Sequence, residues 1–205
     1  MKKVFAFVLL SFSVVPTAAV SQEWEIGLLY QRVGTHETSV EGIPLTNFQF
    51  RGWRYVSEKV GIWGFAYGEE HYISTTAGLY YDFTSWFELA LAVGIEEFTD
   101  EKDIYSRFAG SLLLFGESVC QTELYYENGA SGKYWYLADL LCTPIEGLGF
   151  GVYSQRYAGT GPRVVLRLSS DLPLEVWAAP ALYDLESRGW NHIFGAQLVL
   201  RGGGS

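Results

Sequence analysis

In the stretch FELALAVGIEE, residues 87–97, Phe87, Leu89, Leu91, Val93 and Ile95 take one parity and Glu88, Ala90, Ala92, Gly94 and Glu96 take the other. Successive side chains of a strand point to opposite faces, so the stretch reads as a ribbon with one apolar side. In a soluble sheet that side is core; in a membrane barrel it faces lipid. The pattern returns along the chain. Trp24, Ile26, Leu28 and Tyr30 alternate with Glu25, Gly27, Leu29 and Gln31, and Thr75, Ala77, Leu79, Tyr81 and Phe83 with Ser74, Thr76, Gly78, Tyr80 and Asp82. Val164, Leu166 and Leu168 alternate with Arg163, Val165 and Arg167, and Phe194, Ala196, Leu198 and Leu200 with Gly195, Gln197, Val199 and Arg201.

Clusters of Gly, Pro, Ser, Asn and Asp separate these ribbons and predict strands over 23–33, 46–56, 60–69, 73–83, 86–98, 104–116, 118–127, 133–143, 147–157, 163–169, 174–184 and 190–201. That is about twelve antiparallel strands, or eight to ten where neighbouring segments merge. One segment resists the pattern. In NFQFRGWRYV the apolar parity of Phe48 and Phe50 passes to Trp53 and Tyr55, which reads either as a bulge near Gly52 or as a different strand boundary.

Connections alternate modestly in length. With the first taken as external, GTHETSVEGIPL, EEHY, TDEKD, NGASG, AGTGP and LESRG form one set, and the shorter SEK, TS, GE, TPIE and SSDLP the other. Trp24, Trp86, Phe87, Tyr125, Tyr126, Tyr134, Tyr136, Tyr183 and Trp190 fall near strand ends, where amphipathic rings would form two girdles at the headgroup levels of a bilayer.

Composition sharpens this picture. Aromatics at 17%, 23 glycines and a single methionine suit strands and tight turns. Lys2 and Lys3, an apolar run from Val4 to Val15, then Pro16 and small residues have the order of a secretory leader over 1–21, with cleavage after Ala19 or Ser21. The run is short for a membrane span. One domain is then expected over 22–201, with 202–205 of the RGGGS end read as linker. Loss of Lys2 and Lys3 takes the formal charge from −9 to −11, and no basic block remains of the kind that binds nucleic acid.

The leader, the alternating ribbons, the short turns and the aromatic strand ends together resemble a Gram-negative outer-membrane β-barrel. The resemblance covers nearly the whole mature chain and is one of architecture. It implies an all-β, antiparallel up-and-down transmembrane barrel in the bacterial outer membrane, with lipids as partners. Small members of the OmpA or OmpX type have filled interiors, whereas larger porin-like ones pass small hydrophilic solutes. Such barrels commonly finish on an aromatic residue; here WNHIFGAQLVLR ends on Leu200 and Arg201.

Candidate chemistry is sparse. The hairpin VCQTELYYENGASGKYWYLADLLCTP folds about a centre near Ser131, which places Cys120 opposite Cys142, Glu123 opposite Asp139 and Tyr125 opposite Leu137. Direct opposition suits a disulfide, and export permits oxidation. Glu123 and Asp139 have the makings of an acid and base pair. The alternative is a lumen of paired charges drawn from Glu25, Glu88, Glu96, Arg107, Glu123, Asp139, Arg163 and Arg167, all on inward parity, and the pattern favours it. Glu69, Glu70 and His71 form an acidic turn, read as solvated sooner than as a cation site. His36 falls in the first loop, and His192 shares the parity of Trp190 and Phe194. Ser187, Asn191 and His192 are close in sequence without the spacing of a triad. The Gly-rich GLGFGVYSQRYAGTGP lacks the ending of a phosphate loop. No cofactor or metal is implied. The function expected is a narrow passive pore or a filled structural barrel. The alternatives are a lipid-modifying membrane enzyme and a secreted soluble barrel holding an apolar ligand.

Overall fold

The computed structural model describes residues 24–35, 45–98, 103–115, 119–168, 173–186 and 188–202. The leader with its two cleavage positions, His36, Ser187 and 203–205 lie outside them. Twelve strands follow one another: β1 (Trp24–Thr35), β2 (Leu45–Tyr55), β3 (Val60–Gly68), β4 (Tyr72–Thr84), β5 (Phe87–Phe98), β6 (Ile104–Phe115), β7 (Cys120–Gly129), β8 (Tyr134–Ile145), β9 (Leu148–Gln155), β10 (Gly159–Arg167), β11 (Leu174–Asp184) and β12 (Gly189–Gly202). Each pairs antiparallel with its chain neighbours, and β1 closes the ring on β12, from Trp24 opposite Gly202 to Thr35 opposite Asn191. A closed ring has no free edge, so every strand has a paired neighbour on both sides.

The alternation of the sequence becomes the wall's two faces. On β5, Leu91 and Val93 point outward and are 66% and 62% exposed, while Ala90, Ala92 and Glu96 are buried inside. Phe48, Leu79, Phe108, Phe150 and Phe194 extend the exposed apolar surface around the barrel. Buried polar side chains collect within: Gln31, Asn47, Glu96, Arg107, Glu127 and Gln155. Polarity is therefore inverted relative to a soluble domain.

In β2 the register runs unbroken from Phe48 opposite Gly68 to Tyr55 opposite Gly61, so neither a bulge at Gly52 nor a shifted boundary is present. Trp53 and Tyr55 lie on the parity of Arg51 and face the lumen. The apolar signal moved because the outward residues there are Gly52 and Arg54. Strand β10 starts at Gly159, ahead of the predicted 163, because Gly-Thr-Gly-Pro is turn-like in sequence yet pairs here with Gln155 to Val152 of β9. Pro162 has no N–H to give a ladder, and the β10 to β11 register shifts between Thr160 and Val164. Pro180 on β11 sits at another shift, between Ala179 and Leu182 against β12, and the register also shifts between Asp82 and Thr84 on β4 and between Cys142 and Ile145 on β8. At the other end of β12, Gly202 pairs with Trp24, so the strand extends one residue into the expected linker.

A divided lumen as the candidate functional site

The lumen is bridged by side chains near its middle. From β3, Phe65 stacks on Trp135 of β8 at 6.2 Å between ring centroids, and Tyr125 of β7 closes on Phe65 at 5.4 Å and on Trp135 at 5.4 Å. Trp63 adds an edge contact to Tyr125 at 6.0 Å. Strands β3 and β8 stand five places apart round the ring, so these rings span the interior. Leu137 packs against this cluster and also against the one holding Tyr153, Trp177 and Val165. The result is an aromatic waist. Tyr125, read as a girdle residue from its place in sequence, belongs to this waist and is 6% exposed.

Two cavities lie on either side, with Trp135 lining both. The chamber toward the chain termini has a volume of about 440 Å³, and the one toward the longer connections about 300 Å³. Glu123 of β7 is bridged by Arg51 of β2 at 3.0 Å, and Asp139 of β8 by Arg163 of β10. Arg167 meets Glu175 at 2.7 Å and Arg201 meets Glu25 at 2.6 Å. All eight residues line the terminal chamber, together with Glu88. Glu123 and Asp139 are opposite each other in register, and each is held by a different arginine.

Above the waist a denser charge cluster is fully enclosed. Arg107 sits between Glu96 and Glu127, paired to the former and 2.7 Å from the latter through Nε. Tyr72 donates its hydroxyl to Glu96 at 3.0 Å, Ser131 at 2.6 Å, and Tyr125 donates to Glu127 at 3.1 Å. Gly129 faces the Glu96 carboxylate; a Cβ there would lie 1.8 Å from Oε1, so only glycine admits that approach. Beside it, Gln31 of β1 and Tyr153 both donate to Gln155 Oε1 of β9, at 3.2 and 2.6 Å.

The remaining candidates separate. Cys120 and Cys142 form a disulfide on the outer face near the terminal end, with Cα atoms 4.0 Å apart. Asn191 points inward and donates to the Ala158 carbonyl at 2.9 Å. His192, the next residue, projects outward over Gly34 and contacts Phe194. The two cannot join one catalytic group. His71 is exposed in its turn, 3.8 Å from Glu70. Among the described residues no group of three His, Cys, Asp or Glu side chains is placed to hold a metal ion.

Several functional-site residues were harder to see in sequence. Arg51 was hidden by the broken parity of β2, and Glu127 lies beside the Asn-Gly turn. Glu175 and Arg201 sit close to strand ends, although the inward parity of Arg201 was visible.

The closed antiparallel ring with its apolar outside and polar inside is the fold of an outer-membrane β-barrel. No family model matches the chain, and no curated protein matches it. Among solved structures it is similar to the translocator domain of the autotransporter NalP from Neisseria meningitidis, at 10% identity, covering 98% of this chain and 93% of that one, with a TM-score of 0.39. It is also similar to Ail, the attachment invasion locus protein of Yersinia pestis, at 13% identity, covering 87% and 97%, with a TM-score of 0.26. Both likenesses are of architecture alone.

Proposed function

We propose that this chain is exported by its leader, inserts in the outer membrane with lipids as its partners, and serves as a structural barrel whose charged lumen is closed at rest. The observation that carries the membrane reading is the exposed apolar band, which includes Leu91, Val93, Phe48 and Phe108 at more than half exposure. Exposing so much contiguous apolar surface to water is unfavourable, and a bilayer removes that penalty. Aromatic pairs outside the wall fit the two interfaces. Tyr81, Phe83 and Phe87 cluster with Trp86 toward the termini, and Tyr183 with Trp190 and Tyr126 with Tyr134 toward the longer connections.

Closure is supported by the Phe65, Tyr125 and Trp135 contacts that divide the two chambers. Twelve strands fall between eight-stranded barrels filled by side chains and the 16 to 18 strands that enclose an aqueous channel. The test combines cell fractionation, gel mobility with and without boiling, and conductance in planar bilayers. Recovery in the outer membrane with a heat-dependent mobility shift and little steady conductance is the expected result. Recovery as a soluble periplasmic protein would overturn the location, and a stable open conductance would replace the closed barrel by a narrow solute pore.

A further inference from the structure

We infer that Arg32, on the outward face of β1, anchors a binding site for the phosphate of an anionic lipid in the outer leaflet, on the side of the longer connections. The inference rests on the membrane location proposed above and names the lipid chemistry that one part of the wall selects. Arg32 is exposed, shares the parity of Leu28 and Tyr30, and stands directly opposite Phe194 of β12 and Thr46 of β2. Phe194 and Phe48 are 54% and 63% exposed, and Phe48 lies against Tyr30 at 5.2 Å between ring centroids. The arginine therefore rises from an apolar, lipid-facing surface.

Its charge is unanswered within the protein. Arg51, Arg107, Arg163, Arg167 and Arg201 each meet a carboxylate, and Arg156 meets a carbonyl and two aromatic rings. Among the described residues Arg32 has no carboxylate, carbonyl or ring in contact with its guanidinium. Other outward charges of the described strands sit at the rims: Arg54 is opposite Trp24 at the terminal end, and Glu97 is next to the last residue of β5. Arg32 lies further in, three residues before Thr35 ends β1. A cation on the lipid face without a counter-ion is unfavourable, so its presence there points to an anion supplied from outside the chain.

Depth selects a lipid phosphate. From Trp24 to Arg32 the strand runs roughly 27 Å, which at a tilt of about 40° is about 20 Å of height. With Trp24 at one interface, an apolar band about 25 Å tall ends a short way above the Arg32 backbone. An arginine stem covers that gap and carries its head to the level where lipid phosphates lie. The planar guanidinium presents parallel N–H donors to two phosphate oxygens, and the exposed Thr46 hydroxyl, opposite on β2, adds another donor. Just beyond Arg32 on β1, the His192 ring lies down on Gly34, where a Cβ would come 2.4 Å from its Nε2, so the imidazole bounds the site on its outer side. A headgroup with net negative charge balances the arginine, which a zwitterionic one does not.

The experiment uses the full chain folded in a nonionic detergent and titrated with dilauroyl phosphatidic acid, or with dilauroylglycerol, which has the same chains and no phosphate. Native mass spectrometry measures the lipid retained, and gel mobility before and after boiling reports folding. Saturable retention of phosphatidic acid in preference to dilauroylglycerol is expected. Arg32→Gln should weaken retention of phosphatidic acid about fivefold, the weight of one basic residue near an anionic surface, and leave dilauroylglycerol unchanged. Arg32→Lys should keep part of the affinity, and Thr46→Val should lower it about threefold. Arg51→Gln, in the lumen, should leave it unchanged. Equal retention of the two lipids by the folded wild type would overturn the inference, as would undiminished retention of phosphatidic acid by folded Arg32→Gln. Displacement of the lipid by inorganic phosphate would also overturn it, by assigning the site to the soluble ion. A chain that needs no detergent and shows no mobility shift would remove the membrane reading, and this site with it.

Discussion

Arg51 on β2 reaches Glu123 on β7 at 3.0 Å, although the two strands stand five places apart in a ring of twelve. The contact is a strut across the lumen. It differs from the Arg107 cluster in one decisive respect: Arg51 is 46% exposed along its side chain, Arg107 only 2%. Water screens the first and is excluded from the second. The same ion-pair chemistry should therefore have very different weight in the two places.

Arg107→Ala leaves Glu96 and Glu127 facing each other without a cation, and the expected loss is about 3 to 5 kcal/mol. Arg51→Ala should cost about 0 to 1 kcal/mol, as exposed pairs do. Urea unfolding in lipid vesicles, followed by tryptophan fluorescence, measures both. Equal losses would show that the Arg107 cluster is wetter than its burial implies.

Removing a waist ring should open the lumen and weaken it together. Trp135→Ala deletes the side chain shared by both chambers, with an expected cost of about 3 to 5 kcal/mol from the cavity left behind. Single-channel recording should then show a higher conductance than that of the wild type. A destabilised variant that stays closed would place the barrier in other side chains.

Leu91→Arg tests what lies outside. Leu91 is at mid-strand on β5 and 66% exposed, so in a bilayer the substitution should cost about 2 to 4 kcal/mol. A water-facing position would change by no more than about 0.5 kcal/mol. Refolding equilibria into vesicles separate these values.

The disulfide should matter for stability and not for shape. Cys120 and Cys142 are 22 residues apart, and the chain-entropy account gives such a closure about 3.4 kcal/mol. Cys120→Ser with Cys142→Ser should lower the urea midpoint while retaining the heat-dependent gel shift. Loss of that shift would mean the bridge is needed for assembly.

The strands were legible because one face of nearly every one is apolar throughout, as in Phe87 to Ile95, and a period of two needs no knowledge of partners. The hairpin count that opposes Cys120 to Cys142 and Glu123 to Asp139 worked for a similar reason: a tight turn fixes register locally. What lay beyond reach were contacts set by closure of the ring. Nothing near Glu123 in sequence names Arg51 as its partner, and nothing around Phe65 names Trp135. Those meetings depend on ring size and stagger, which emerge only when twelve strands join. Trp53 and Tyr55 illustrate the converse difficulty: lumen aromatics mimic an outward face, so apolarity alone misplaces them.

Pro162 and Pro180 flank the two borders of β11 and give that part of the wall a mechanical grain. Between Thr160 and Val164 the lacing of β10 to β11 skips, and it skips again on the other side of β11 beside Pro180, whereas β5 and β6 are laced without a break from Phe87 to Glu97. Drawn out by its C-terminal end, the chain would release β12 and then arrive at β11, whose one remaining border, with β10, is already interrupted between Thr160 and Val164. A tear that starts there runs along a seam, and the force needed to part β11 should fall below that for any length of the β5 and β6 side.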